Sequence, residues 1–532
     1  MPHPLDPFLS LSRRGLLRGA FSTASIAALT GTTARGVWAT PVFHAYPFTL
    51  GVASGEPLPD GVVLWTRLAP DPLNGGGLPM QAIEVGWELA ADDRFRQILQ
   101  KGTTLARPEL AHSVHVEVTG LDPARSYWFR FRAGTEISAV GRTRTAPALD
   151  ATPARVAFAN VGCNRYEDGY FTAYRHLARE ELDFVFHSGD YIYEYRNRRG
   201  PTLPVREITG AEIHTVTDYR NRYALYRLDP DLQAAHAAHP FIVSFDDHEV
   251  DNNWAGDISE EDGGTTFPIA VPSEIFLLRR QMAFQAWYEA MPLRRAQIPR
   301  GPDIQAYRRL RYGRLLDVNV LDTRQFRDDQ PCGDGVKAGC ADRLKPGSQI
   351  LGKAQEAWLR EGLTGDQPTW RLLAQQVFMM QRRFGEGPDF SFSMDKWDAY
   401  ADARDRLTRF LHEAKIANVV ALTGDVHNAW AGDLKTNFED ERSPIVGVEF
   451  VGTSISTDGD GAETRPDWEL VRRNNPHIRF HNNRRGYTVH AATPEKMTAE
   501  FKVVPFVTRK DAPLETRGSF AVEAGRPGVQ SA

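Results

Sequence analysis

The sequence predicts an α/β domain with two sheets, preceded by a small all-β sandwich, and three observations predict it. From about His44 to Ala146 the apolar residues come in short β-branched or aromatic runs broken by Gly, Pro and Asp, the pattern of successive strands and turns. Beyond a linker at 146–154, rich in Pro, Ala and Thr, the pattern becomes strand, helix, strand, which implies a parallel pair. At 532 residues, 42% hydrophobic and 25% charged, the chain is too long for one average domain and apolar enough for a large core.

Residues 1–39 read as an export leader. Ser12-Arg13-Arg14-Gly15-Leu16-Leu17-Arg18 precedes a mildly apolar run, Gly19–Leu29, and Val37-Trp38-Ala39 offers a small-residue cleavage site. The pattern is similar to a twin-arginine signal, with Leu16 and Arg18 in place of the commonest Phe and Lys, so the twin-arginine export machinery is an expected partner and the destination is periplasmic or secreted. No later stretch reaches about 18 uninterrupted apolar residues, and no transmembrane helix is expected. The formal charge of −5 argues against a polycationic surface and specific nucleic-acid binding. A small anionic substrate then needs local positive charge, such as metal ions.

In the first domain, 40–146, the runs Val62–Leu68, Ile83–Leu89, Val114–Val118 and Tyr127–Phe131 have the spacing of an immunoglobulin- or fibronectin-like sandwich. In the second, 147–507, Val156–Val161 is a strand, Tyr170, Phe171, Tyr174 and Leu177 share one helix face, and Asp183–His187 is the next strand. A polar surface excursion is expected over Arg196–Thr217, then a strand at Phe241–Phe245, an acidic Gly-rich loop at Gly256–Thr265, and a helix from Ser273 through Met291, stopped by Pro292. A hairpin follows, Ile304–Arg311 with Arg314–Leu321. After it come a helix at Gln355–Leu363, a strand at Trp370–Gln376, a helix at Ala401–Ala414 and a strand at Val419–Leu422. Val446–Val451 and Tyr487–Val503 read as a second sheet, and 508–532 as a loose tail.

The polar residues at the strand ends carry the functional signal. Asp183–Tyr193 runs from a buried apolar strand into Gly189, which frees the backbone and delivers Asp190 into the crevice where α/β sheets keep their chemistry. Four other strand ends present Cys163, Asp247 with His248, Gln376, and Asp425 with His427. Each alone has a plain structural reading: Cys163 as a small core residue, Tyr193 as a core ring, Asp246 and Asp247 as helix caps. A core would reject all five together. Cys332 and Cys340 flank a Gly-rich loop closely enough to pair, which leaves Cys163 as the odd thiol, either buried and inert or chemically active.

The order and types of these groups resemble the calcineurin-like metallophosphoesterases, and in detail the PhoD-type alkaline phosphatases. The matching stretches are Phe48–Pro57, Leu64–Leu68, Gly189–Tyr193, Phe245–Gly256, Asp322–Gln325 and Gly424–His427. The resemblance implies an α/β metallophosphoesterase domain of two mixed sheets packed face to face and flanked by helices. It implies a ferric ion held by Cys163, Asp190, Tyr193 and His427, and calcium, one or two ions, sharing Asp190 and adding Asp247 and Asp425. Gln376 falls where related enzymes place a metal-binding His, and Asn252 or Asn253 is the alternative oxygen donor. Thiolate and phenolate suit iron, whereas carboxylate and amide oxygens suit calcium.

The activity implied is exported alkaline phosphatase and phosphodiesterase, hydrolysing a small phosphate ester by in-line attack of metal-activated hydroxide. His248 is the candidate for stabilising the transition state or protonating the leaving alkoxide. Arg324 is either a bidentate phosphate binder or the structural partner of Asp322. The chain is expected to act as a monomer. The alternatives are a phospholipase-D-like or nucleotide phosphodiesterase on the same fold, and a non-catalytic secreted binding protein.

Overall fold

Strands Val156–Val161, Phe184–His187 and Pro240–Val243 are buried at every residue. Both faces of their sheet are covered, and an uninterrupted apolar run is what that position selects. The three pair in parallel, with Val185 opposite Ala159 on one side and Phe241 on the other. The computed structural model describes residues 41–195, 204–208, 211–264, 267–365, 368–387 and 389–532. The export leader expected at 1–39 lies outside them, as does part of the excursion expected from Arg196.

This sheet has ten strands, drawn from both ends of the sequence. On one side Val52–Leu58 joins Pro240–Val243 in parallel, followed by Gly61–Arg67 and Ser113–Val118. On the other, Arg485–Ala492, Lys496–Val504, Glu515–Glu523 and Arg526–Ser531 continue it as an antiparallel meander. The all-β sandwich is present, but one of its layers is a continuation of the ten-stranded sheet. Its other layer is a five-stranded sheet of Ile83–Ala90, Ile98–Ala106, Ser126–Ala133, Glu136–Ile137 and Gly141–Arg144. Val62, Leu64 and Val116 of the first layer meet Val85, Leu89, Phe129 and Phe131 of the second. Residues 42–532 accordingly form one compact unit.

A second, seven-stranded sheet runs Arg308–Tyr312, Leu316–Val320, Trp370–Ala374, Val419–Thr423, Ile445–Val451, Ala429–Lys435, Ile478–Asn482. The two large sheets face each other across Phe158, Phe184, Phe186 and Ile242 on one side and Val318, Leu372, Val420, Leu422 and Phe450 on the other. Helices Thr172–Leu177, Val216–Arg227, Pro230–Ala238 and Ser273–Ala290 contribute to the core on the outer face of the first sheet. Gly352–Thr364, Ala401–Glu413 and Trp468–Asn474 do so for the second. Among the described residues no helix is long and apolar enough to cross a membrane.

Two sequence expectations are corrected. Tyr487–Val503 does not share a sheet with Val446–Val451; it splits into two strands of the ten-stranded sheet, whose Ala492, Met497, Ala499 and Phe501 fill the gap between the sheets. The tail from 508 is not loose: Glu515–Glu523 and Arg526–Ser531 close the sheet edge, with Phe520 packed against Phe480 and Phe501. Helices Val216–Arg227 and Pro230–Ala238 were not read, because Tyr219, Arg222, Tyr223 and Tyr226 bury a polar-rich face that carries little apolar periodicity.

Candidate metal centre

Each site residue sits in the turn just past a strand. Cys163, Asp190, Asp425 and His427 all take left-handed backbone conformations, with φ of 55°, 54°, 67° and 59°. Four non-glycine residues held this way in one place is a strained arrangement that clusters at functional sites. The strand ends are locked together: the Cys163 and Asn164 amides donate to the carbonyls of Gly189 and Asp190, both at 3.1 Å. The buried Glu249 carboxylate accepts from the amides of Asp190, Tyr191 and Asp246 at 3.1, 2.6 and 2.8 Å. Gly189 is required, because at φ 119° a Cβ would meet the Asp246 backbone nitrogen at 2.5 Å. A side chain at Gly424 would collide with Ser188 Oγ, so this glycine lets the ends of the two sheets approach.

Three overlapping groups result, each with ligand atoms within 4.8 Å of one another: Cys163, Asp190 and His427; Asp190, Asp247 and His248; Asp246, Asp247 and Asp425. The Tyr193 hydroxyl lies 3.0 Å from Asp190 Oδ2 and 3.3 Å from His427 Nε2, so the phenol curls back onto the first group. His427 Nδ1 is held by Asp458 at 2.8 Å. His248 Nδ1 is held by the buried Glu194 at 2.7 Å, which turns its other nitrogen to the cluster. Asp190, Asp247, His248, Asp425 and His427 line a pocket of about 410 Å³.

The donor set fits cations. Asp190 Oδ1, Asp246 Oδ2, Asp247 Oδ1 and Asp425 Oδ2 are buried without a hydrogen-bond partner. Buried carboxylate oxygens are otherwise paired or bound to metal. Burial and the neighbouring carboxylates push the Cys163 thiol and the Tyr193 phenol well above their usual ranges. Burial likewise raises Asp246, against the pull of Arg324. A cation would reverse these shifts, because a thiolate or phenolate binds as the anion. His427 is pushed down by burial but up by Asp458 and Asp190, to about 9. A metal at Nε2 would take the place of that proton.

Of the expected site residues, Gln376 and Arg324 do not line the pocket. Gln376 reaches the strand end but has no free amide atom: Oε1 accepts from Thr323 N and Oγ1, and Nε2 donates to Ser244 Oγ and Leu321 O. It ties the two sheets together rather than offering a ligand. Arg324 is fully buried, donates to Asp246 at 2.5 Å and Asp395 at 2.9 Å, and lies 3.5 Å from Asp247. Its charge holds carboxylates behind the pocket and is not presented to a substrate. Asn252 and Asn253 both line the pocket, with their amide nitrogens given to Glu260 and Asp334.

The structure adds residues that the sequence reading passed over. Asp246 is a cluster member beside Asp247, and the Asp-Asp-His-Glu run was the available signal. Lys396 Nζ bridges Asp395 at 2.7 Å and Asp425 at 2.5 Å from a loop that follows the short strand Ser391–Ser393, where no strand-end pattern marked it. That strand pairs with Val336–Ala338, inside the loop closed by the Cys332–Cys340 disulfide. Glu194, Glu249 and Asp458 hold backbone amides or imidazoles and had no individual signature.

Two facing sheets whose strand ends bring carboxylates and imidazoles to one pocket, beside a buried thiol and phenol, frame a site that could hold cations, and the family match makes the molecule a phosphoric ester hydrolase. The family model for PhoD-like phosphatase matches residues 158–501, and that for the PhoD-like phosphatase N-terminal domain matches residues 33–147. The chain is 48% identical over 527 residues to alkaline phosphatase D of Bacillus subtilis (strain 168), covering 98% of this chain and 89% of that protein. A solved structure described as the structure of PhoD superposes with a TM-score of 0.89 at 50% identity, covering 92% of this chain and 93% of the other. The chain belongs to the PhoD-like phosphatase family.

Proposed function

We propose that this protein hydrolyses phosphomonoesters and phosphodiesters with a ferric ion at Cys163, Asp190, Tyr193 and His427. One or two calcium ions would sit at Asp190, Asp247 and Asp425, with amide oxygen from Asn252 or Asn253; Asp246 joins this carboxylate set. The observation that carries the metal reading is the convergence of Asp190, Asp247 and Asp425 on one pocket with Asp246 beside them, each carboxylate keeping one buried oxygen without a hydrogen-bond partner. Bound there, the ions would neutralise the ester oxygens and acidify an attacking water.

The chain's own residues supply position and protons. Glu249 fixes the backbone of Asp190 and Asp246, and Glu194 orients His248. Burial lowers the His248 pKa, but Glu194, Asp247 and Asp190 outweigh it and hold the group at about 10. That value belongs to the metal-free protein; with Nδ1 tied to Glu194, His248 has Nε2 left as the atom that would give a proton to a leaving alkoxide. Arg324 and Lys396 each bridge Asp395 and Asp425 from behind and so hold the two carboxylates in place. The protein is exported by the twin-arginine route and acts outside the cytoplasm.

Purified protein should hydrolyse para-nitrophenyl phosphate and its bis ester, lose both activities on calcium chelation, and recover them when calcium is returned. Hydrolysis indifferent to chelation would remove calcium from this reading. Failure on both esters with metals supplied would remove the function. Replacement of Arg13 and Arg14 by Lys should hold the protein in the cytoplasm.

A further inference from the structure

We infer that Arg165 is a catalytic residue of this pocket, donating its guanidinium N–H groups to a non-bridging oxygen of the phosphoryl group. The inference rests on the phosphate-ester reading above. A phosphoryl group brings negative charge into a pocket walled by Asp190, Asp247, Asp425 and Asp458. Among the described residues lining that pocket, Arg165 is the one guanidinium. Arg324, which the sequence offered for this task, is sealed behind the carboxylates it serves.

The Arg165 guanidinium carbon lies 3.9 Å over the ring of Tyr193, whose hydroxyl is within hydrogen-bond reach of Asp190 and His427. Stacking on an aromatic face fixes the plane of the fork beside the atoms where a substrate must sit. The side chain is 8% exposed, and its Nη1 is buried without a hydrogen-bond partner. The Nε stands 3.9 Å from Asp168, too far for a hydrogen bond. Buried donors without a partner are rare in native structures, and this one belongs to a side chain that lines the ligand pocket. The backbone is anchored on both sides: the amide donates to Thr457 Oγ1 at 3.1 Å, and the carbonyl accepts from Ser456 Oγ at 2.7 Å. The donor is therefore preorganised, and a planar fork matches two phosphate oxygens better than a point charge does.

The test compares metal-loaded wild type with Arg165→Gln and Arg165→Lys, reading inorganic phosphate affinity by calorimetry, kcat and KM for para-nitrophenyl phosphate, and metal content by elemental analysis. Metal content should match wild type in both variants. Phosphate should bind roughly ten- to a hundredfold more weakly to Arg165→Gln, as expected for losing hydrogen bonds to a charged group, with Arg165→Lys intermediate. The kcat/KM should fall by at least as much. Wild-type phosphate affinity in Arg165→Lys, or loss of metal in step with loss of activity, would overturn the inference, the second outcome making Arg165 a support for Tyr193. If Arg165→Gln does not fold, Arg165→Lys carries the comparison. Wild type that binds phosphate through Arg165 yet hydrolyses no ester would break the proposed function and leave this contact standing.

Discussion

His248 brings three carboxylates to bear on one imidazole: Glu194 at Nδ1 and Asp190 and Asp247 on the pocket side. Replacing it by Gln should lower kcat about 10²- to 10⁴-fold, the range for losing a general acid, with KM little changed. The loss should be larger for alkyl phosphates than for para-nitrophenyl phosphate, whose leaving group needs no proton. Equal losses for both would point to a purely electrostatic role. The same residue links stability to pH. Its folded pKa, about 10, lies above its ordinary 6.5, so its contribution is full below about 6.5 and is lost as pH rises toward 10. Metal-free protein should therefore melt at progressively lower temperature between pH 7 and pH 10, and His248→Gln should flatten that slope.

The strand ends are the elements that make the site. Glu249 is the clamp between the turns after Phe184–His187 and Pro240–Val243, accepting from three backbone amides. Glu249→Gln puts an amide NH₂ against one of those donors and should cost about 2–3 kcal/mol in urea unfolding of the metal-free protein. An unchanged midpoint would mean that the turns hold their shape unaided. These elements were largely legible in the sequence because their strands are apolar runs ended abruptly by Gly-Asp, Asp-Asp-His-Glu or Gly-Asp-Val-His. Val156–Val161 and the helix from Ser273 were placed to within a residue. Gln376 misled because a polar side chain at a strand end looks the same whether it faces a pocket or bridges two sheets. Lys396 and Arg165 were passed over because cations in loops carry no periodic signal.

At the scale of the whole molecule, the site exists only where two sheets meet. Cys163, Asp190 and Asp247 follow strands of the ten-stranded sheet, and Asp425 and His427 follow a strand of the seven-stranded one. The inter-sheet core around Phe186, Val420 and Phe450 sets their spacing. Phe450→Ala should cost about 3–5 kcal/mol and weaken calcium binding as well as stability. The C-terminal strands belong to the same frame. A chain ending at residue 507 should melt at clearly lower temperature or aggregate, because it uncovers Phe501 and Met497 beside an open sheet edge; unchanged melting would restore the loose-tail expectation.

The central claim is that one thiol, one phenol, imidazole and carboxylates from both sheets hold iron beside calcium. Elemental analysis of the purified protein, read together with its visible absorption, tests it most directly. Wild type should contain one iron with a charge-transfer band, plus calcium, and Cys163→Ser should lose iron, band and ester hydrolysis together. A colourless wild type with stoichiometric zinc, or a Cys163→Ser protein that keeps its iron and its activity, would contradict the claim.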